Sequence, residues 1–177
     1  MGLTVGNSNP GLFHYSSYYP MSGINYWSNA NTSFGDFTVV GSIPAPTVIV
    51  NSNFGTVTKA TSDLPGLNVA AAPRTGTIRV TCIISYIPGL QAAANNWALK
   101  CRESVTSTDI AFTAGGITTN SVVNEMTTAT LVGYFSATVG TAYNFKLQSL
   151  TQAGTFYVGG YAVSNTSQLQ INLEYIT

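Results

Sequence analysis

Charge is scarce in this sequence. Its 177 residues include six Lys or Arg and six Asp or Glu, which is 7% of the chain with a formal net charge of zero. Ordinary soluble domains carry about 25% charged residues. Six scattered cations cannot form the basic stripe that neutralises phosphates, so the composition excludes nucleic acid as a partner.

Side chains that carry catalysis or bind metals are equally few. The single histidine, His14, has no acid near it in sequence, which favours a structural or surface role. Two cysteines and one histidine cannot close a four-ligand zinc site within one chain. The acids Glu103 and Asp109 are the pair that folding could bring together, and a glycosidase needs two carboxylates about 5 to 10 Å apart. We therefore predict no enzyme, no cofactor and no metal, with that pair as the exception to test.

Long apolar runs are missing too. No run reaches the length of about 18 residues that a membrane-spanning helix requires, so we expect no membrane insertion. The first ten residues lack a basic region followed by an apolar stretch, which argues against a signal peptide. The chain is nevertheless 45% hydrophobic and 11% aromatic, enough material for a packed core.

Thr, Ser and Asn take the place of charge, with 24, 17 and 15 residues respectively. These types suit strands and turns better than helix surfaces. The best helical window, 90–100, is interrupted by Asn95 and Asn96 and is interpreted as a loop. Period-2 alternation predicts strands elsewhere, over 34–40, 47–50, 77–87, 97–102, 108–113, 121–126, 130–139, 142–150, 155–163 and 168–176. The sequence thus predicts an all-β protein, an antiparallel sandwich or jelly roll.

Strand 130–139 is apolar on both faces. Leu131 and Phe135 share one face, whereas Val132 and Tyr134 share the other. Burial on both faces is required where a sheet packs against a partner. The last strand, 168–176, alternates most regularly and is expected to lie inside its sheet.

The first fifty residues have a different character. They are rich in Tyr, Asn, Ser and Gly, alternate weakly and show no clear core stripe. The segment 43–46, Ile-Pro-Ala-Pro, interrupts the chain, since proline restrains itself and its predecessor. We therefore predict a small β-rich neck or intermediate domain over 1–50 and a head over 51–177.

An aromatic cluster in this first segment is the candidate ligand-binding surface. Flat rings beside amides suit the faces and hydroxyls of sugars, and Tyr and Trp also anchor protein contacts. The alternative is that the rings form a small core or pack between subunits. The cluster consists of Tyr15, Tyr18, Tyr19, Tyr26 and Trp27.

The two cysteines have the same phase on two predicted strands. A hairpin between those strands would place Cys82 opposite Cys101, and a disulfide closing this loop of about 20 residues would contribute on the order of 3 kcal/mol. It would also suit an extracellular protein. The alternative is two reduced, buried cysteines that act as small hydrophobes.

From Asn51 onward the chain carries an ordered set of motifs: Asn53 to Val57, the Leu-Pro-Gly-Leu run 64–69, the Pro-Arg-Thr-Gly turn leading into strand 73–82, the strands 131–135 and 143–148, and the closing strand 169–176. This order resembles that of C1q/TNF-like heads, including those at the tips of phage tail fibres and of fibre or adhesin proteins of predatory bacteria. The resemblance covers about the last 127 residues. Two departures are Ile78-Arg79 where an aromatic pair is usual and the lack of a calcium-binding acidic cluster.

The resemblance implies a homotrimer in which the apolar outer face of one sheet packs around a threefold axis. A fibre shaft would then lie N-terminal to this chain, and the location would be extracellular, at a cell surface or a virion fibre tip. The leading hypothesis is a non-enzymatic head that binds a cell-surface glycan or envelope component. The alternatives are a structural capsid jelly roll that assembles with its own copies and a carbohydrate-active enzyme.

Overall fold

The computed structural model describes residues 13–20, 26–60, 65–87, 95–117, 126–159 and 168–176. Within these ranges the chain forms strands and connecting loops. The strands are β1 His14–Pro20, β2 Tyr26–Asn29, β3 Gly35–Asp36, β4 Thr38–Val40, β5 Thr47–Ser52, β6 Val57–Lys59, β7 Gly66–Val69, β8 Gly76–Ile87, β9 Asn95–Glu103, β10 Thr108–Ile117, β11 Thr127–Ala137, β12 Tyr143–Thr151, β13 Phe156–Val158 and β14 Gln168–Tyr175.

The strands form two antiparallel sheets. Sheet one has eight strands in the order β4-β2-β13-β8-β14-β1-β5, with β11 paired to the other side of β8. Sheet two has six, in the order β10-β9-β12-β7-β6, with β3 paired to β12. The predicted all-β antiparallel class is confirmed.

The strand order identifies the sandwich as a jelly roll. Its eight main strands are β1, β7, β8, β9, β10, β11, β12 and β14. Numbered one to eight along the chain, they lie in the order 1-8-3-6 in sheet one and 2-7-4-5 in sheet two. The first and last main strands are therefore neighbours, as in a jelly roll. β14 lies between β8 and β1, which confirms the predicted interior position of the closing strand.

The described residues 13–20 and 26–52 belong to this sandwich, so they do not form the separate neck predicted over 1–50. β1 pairs with β14 over seven positions and with β5 on its other side, and β2 pairs with β13. Residues 14–52 thus supply strands of sheet one, and β3 adds to sheet two. The alternation was missed because the buried side of β1 carries Tyr15, Ser17 and Tyr19 instead of aliphatic residues.

The core lies between the sheets and is rich in aromatic rings. Tyr86 stacks on Phe156 with centroids 5.2 Å apart, and Trp97 packs at a tilt against both. Tyr19 meets Trp27 edge-to-face at 5.2 Å. Such ring pairs add about 0.5–1.5 kcal/mol each beyond the burial of their area.

One side of the sandwich is closed where β10 of sheet two meets β11 of sheet one. A bulge in β10 leaves Ile110 as the extra residue between Asp109 and Ala111, and its carbonyl lies against Gly133 of β11. A Cβ at Gly133 would come within 2.0 Å of that oxygen. Glycine is required there so that the two sheets can approach each other.

Two predicted segments lie mostly outside the described residues. Of the strand predicted over 121–126, the structure describes Met126 alone, and of 155–163 it describes residues up to Gly159, with β13 at Phe156–Val158. The window interpreted as a loop, 90–100, is described from Asn95, where β9 begins.

Candidate functional site

The sheet-one outer face is defined by the outward side chains of β11, β8, β14, β1 and β5. On β11, Val132 and Tyr134 are 50% and 59% exposed, whereas Leu131 and Phe135 are buried. The two-sided apolar pattern read from the sequence is therefore confirmed, and its outer half is exposed to solvent in the single chain.

Uncharged polar groups occupy the middle of this face. Asn172 of β14 lies between Thr81 of β8 and Ser16 of β1 in the strand register. The Ser16 hydroxyl donates to its Oδ1 at 2.6 Å, and the Gln170 amide donates to the same oxygen at 3.2 Å. Arg79 and Glu174 form an ion pair beside Tyr134. The face is thus polar but almost free of charge.

A second apolar strip lies at the opposite edge of sheet one. β5 follows β1 at that edge, and its Val48 and Ile49 are 50% and 55% exposed. The strips on β5 and β11 are separated by the full width β1-β14-β8. Sheet one therefore presents two different apolar surfaces at its two sides.

The sheet-two outer face is built from charged side chains on β3, β9, β10 and β12. Asp109 accepts from Lys100 Nζ at 3.0 Å and from Arg102 Nη1 at 3.2 Å. Asp36 accepts from Lys146 Nζ at 2.7 Å and from Gln148 Nε2 at 2.7 Å. Strand register places these groups next to one another, since Arg102 lies opposite Lys146 and Gln148 opposite Asp36.

Two phenylalanines cover part of this charged face. Phe112 of β10 lies opposite Lys100 and is 61% exposed. Phe34 meets the Phe112 ring edge-to-face at 5.9 Å and lies 4.4 Å from Lys100 Nζ in a cation–π contact. The ammonium group of Lys100 is consequently almost fully buried, between an aromatic ring and a carboxylate.

Hydrogen bonds and neighbouring cations stabilise the ionised form of Asp36. Burial alone would raise the pKa of Asp36, but the hydrogen bonds from Lys146 and Gln148 and the charges of Lys146 and Arg102 lower it below its usual value. The carboxylate stays ionised and fixed at neutral pH.

The candidate catalytic pair is not brought together. Glu103 and Asp109 occupy one hairpin, but Glu103 points into the core and is fully buried, whereas Asp109 is on the outer face with its side chain 53% exposed. Glu103 is fixed by donors from three residues: Val105 N at 2.9 Å, Thr106 N and Oγ1 at 2.6 and 2.7 Å, and Asn144 N at 2.9 Å. The two carboxyls cannot face one groove, which removes the predicted glycosidase pair.

Burial by itself would raise the pKa of Glu103. The hydrogen bonds from Asn144, Thr106 and Val105 outweigh it and lower the pKa below the usual carboxyl range. Glu103 therefore acts as a buried anion that fastens the turn 104–107 to β12, a structural role.

The predicted aromatic site requires correction. Tyr15, Tyr19 and Trp27 are 0–1% exposed and form part of the core, as the alternative interpretation held, so a ligand cannot reach them. Tyr18 faces outward on β1, and Tyr26 is half-buried with its ring 5.6 Å from Tyr157. These two remain accessible but do not form one surface with the other three.

The cysteines meet, but not through a hairpin. Cys82 is on β8 of sheet one and Cys101 on β9 of sheet two, and these strands do not pair with each other. Both are free, buried thiols that contact one another across the core. The hydrogen bond with Cys82 and burial raise the pKa of Cys101, which keeps its thiol protonated and unreactive.

His14 lies on β1 opposite Glu174, at the margin of the sheet-one outer face. Among the described residues no three His, Cys, Asp or Glu side chains lie close enough together to hold a metal ion. No helix in the same ranges is long and apolar enough to cross a membrane.

No protein-family model matches this chain, and no curated protein is similar to it in sequence. Solved structures do resemble it, among them the structure of Eiger TNF from S. frugiperda. That match has a TM-score of 0.41 and 12% sequence identity, and it covers 94% of this chain and 93% of the other. The assignment of a jelly roll rests on the strand order of this chain itself.

Proposed function

We propose that this chain is a non-enzymatic binding head that works as a homotrimer. The observation that carries the proposal is the pair of apolar strips at the two sides of sheet one, Val48 and Ile49 on β5 and Val132 and Tyr134 on β11. The C1q/TNF-like order of motifs in the sequence supports the same assembly.

Different strips at opposite sides favour a head-to-tail contact. A twofold interface uses the same patch on both copies, whereas a head-to-tail interface joins two different patches and closes into a ring when the rotation permits. The strip on β5 of one copy would pack on the β11 side of the next. Three copies would close the ring.

The low charge of the sheet-one outer face fits its burial between copies. An unpaired buried charge carries a penalty of several kcal/mol, and this face has one ion pair and His14 among hydroxyls and amides. Amides that already hydrogen-bond within the chain can be covered at small cost. Cores of interfaces are likewise depleted of charged residues.

The function of such a ring would be multivalent recognition. Three equivalent weak sites on one rigid body bind a surface far more tightly than a single site does. We assign the target as a cell-surface glycan or envelope component, with the head displayed outside the cell or at a virion fibre tip, at the end of a shaft N-terminal to this chain.

The assembly is tested by sedimentation equilibrium at micromolar concentration. A mass three times that of the 18.6 kDa chain is expected. A stable monomer would overturn the proposal, and growth into large lattices would instead favour the capsid-like alternative.

The binding role is tested by labelling intact cells with a fluorescent form of the trimer. Saturable, displaceable binding is expected, while turnover of the bound polysaccharide would contradict a non-enzymatic role.

A further inference from the structure

We propose that the sheet-two outer face around Phe112 is the site at which the head binds its ligand, and that the ligand is a neutral, hydroxyl-rich saccharide. This inference rests on the proposed function and locates its binding surface. The site consists of Phe112, Phe34, Asp109, Arg102, Asp36 and Gln148.

The charge of this chain is concentrated at this face. Five of its twelve charged side chains lie here: Lys100, Arg102, Lys146, Asp36 and Asp109. The Arg102–Asp109 pair is exposed enough to contribute only about 0–1 kcal/mol to stability, and the desolvation of the more buried Lys100 and Lys146 offsets the attraction within their pairs. Stability alone gives little reason to gather almost half of the charge on one sheet face.

The polar groups of the face are held in fixed positions. The Asp109 carboxylate is fixed by two cations and the Asp36 carboxylate by Lys146 and Gln148, yet their side chains remain 53% and 43% exposed. An ionised carboxylate has about four acceptor positions, so each retains lone pairs directed to solvent. Groups that are already ordered lose little entropy when a ligand hydroxyl binds to them.

Phe112 supplies the apolar part of the site. More than half of its side chain is exposed, and the edge contact from Phe34 restrains the ring. A rigid aromatic side chain offers contact area at low entropic cost. A flat ring beside fixed donors and acceptors matches a pyranose, which has an apolar C–H face and a rim of hydroxyls.

The charge pattern favours a neutral ligand over an anion. Each of the three cations is paired with Asp36 or Asp109 and would have to exchange a fixed partner to bind a phosphate or sulfate. Alternating acceptors and donors suit hydroxyls, which can serve as both. The face therefore complements a polyol more closely than a polyanion.

The proposed binding face belongs to sheet two, which the proposed trimer leaves exposed. β9, β10 and β12 belong to sheet two, while the apolar strips that would pack between copies belong to sheet one. A ring formed through sheet one leaves three sheet-two faces directed outward. Each copy would thus present one site to the cell surface.

The experiment measures binding of the trimer to an array of neutral and acidic oligosaccharides. Phe112→Ala and Asp109→Asn are compared with the wild-type chain, with Phe112→Tyr as the conservative variant and Val139→Ala as a control at an exposed apolar position in the β11–β12 turn. We expect neutral glycans to bind, Phe112→Ala and Asp109→Asn each to weaken binding at least about tenfold, and the tyrosine variant and the control to stay close to wild type. Unchanged mass and melting temperature show that each variant is folded.

The experiment distinguishes a wrong site, a wrong ligand class and a wrong proposed function. If the wild-type chain binds a glycan and Phe112→Ala and Asp109→Asn bind it equally well, the site is wrong while the proposed function stands. If the chain binds only acidic glycans, or binds cells but no saccharide, the ligand class is wrong. If it binds neither cells nor glycans, the proposed function fails as well.

Discussion

The two outer faces of the sandwich come from the same kind of strand and share one core, yet they carry opposite chemistry. The sheet-one outer face has amides, hydroxyls and the exposed apolar strip of β11, with one ion pair, and a second exposed apolar strip lies at its β5 edge. The sheet-two outer face has a lattice of five charged side chains and an exposed Phe112. Burial of the inner faces requires neither pattern, so each outer face must be explained by what it contacts.

We interpret this contrast as a difference in role between the two sheets. A face without charge can be covered by another copy at low desolvation cost, whereas a charged lattice is best left in water. In our proposal, sheet one holds the copies together and sheet two meets the ligand. The following predictions test that contrast.

The largest expected effect is loss of the assembly. Tyr134→Lys combined with Val132→Lys would place two like charges on the same face of β11 in the proposed interface, and we expect the trimer to dissociate to monomers. Sedimentation equilibrium would measure the mass. Phe112→Lys, an equally exposed aromatic position on sheet two, is the matched control and should remain trimeric. Dissociation by both changes, or by neither, would refute the contrast.

A smaller effect is expected from the two carboxylates of the β9–β10 hairpin. Glu103→Ala leaves several buried donors without an acceptor, and we expect a loss of about 2–4 kcal/mol in the free energy of unfolding. Asp109→Asn, on the outer face of the same hairpin, keeps an acceptor oxygen for Lys100 and Arg102 and should cost less than Glu103→Ala. Urea denaturation measures both, and equal losses would contradict the assigned orientations.

The acid response should also depend on Glu103. Its pKa in the folded protein is lowered, so its stabilisation is complete above the unfolded pKa of about 4.3 and is lost as the pH falls through the folded value. Urea midpoints measured between pH 7 and pH 3 should decline in the acid range. In Glu103→Gln the decline should be shallower, and an identical profile would show that another carboxyl is responsible.

The smallest effects concern the exposed ion pairs. Arg102→Gln on sheet two and Arg79→Gln on sheet one should each change stability by less than about 1 kcal/mol. The melting temperatures of the two variants should depend differently on protein concentration, because Arg79 lies beside Tyr134 in the proposed interface. In thermal melts over a hundredfold range of protein concentration, the melting temperature of each trimeric form should depend on concentration, but the difference from wild type should change with concentration for Arg79→Gln alone.

Much of the fold could be predicted from period-2 alternation. The strands around Val80 and Leu173 alternate mostly aliphatic and polar residues, and the structure buries Val80 and Leu173. The sequence did not predict β1 as a strand, because its inner side alternates Tyr and Ser, which resembles a surface pattern. The boundary placed near residue 50 followed from that omission.

The candidate site was much harder to predict. Lys100 and Arg102 are two apart in one strand, which indicates a shared face, but Asp36 and Lys146 are 110 positions apart and meet only through the pairing of β3 with β12. Glu103 continues the inward phase of Leu99 and Cys101, which the alternation of β9 indicates, but the bulge at Ile110 that sets the face of Asp109 has no such signal. Such relations depend on strand register, which alternation does not specify.

The glycine contact that closes one side of the sandwich also limits how chains can add to one another. Exposed strand edges recruit further strands and lead to aggregation. With Gly133 seated against the carbonyl of Ile110, β10 and β11 shield each other's edges, and the other terminal strands of the described sheets are β4 and β5 in sheet one and β6 in sheet two. A larger residue at position 133 would separate β10 from β11 and expose two further strand edges to which other chains could add.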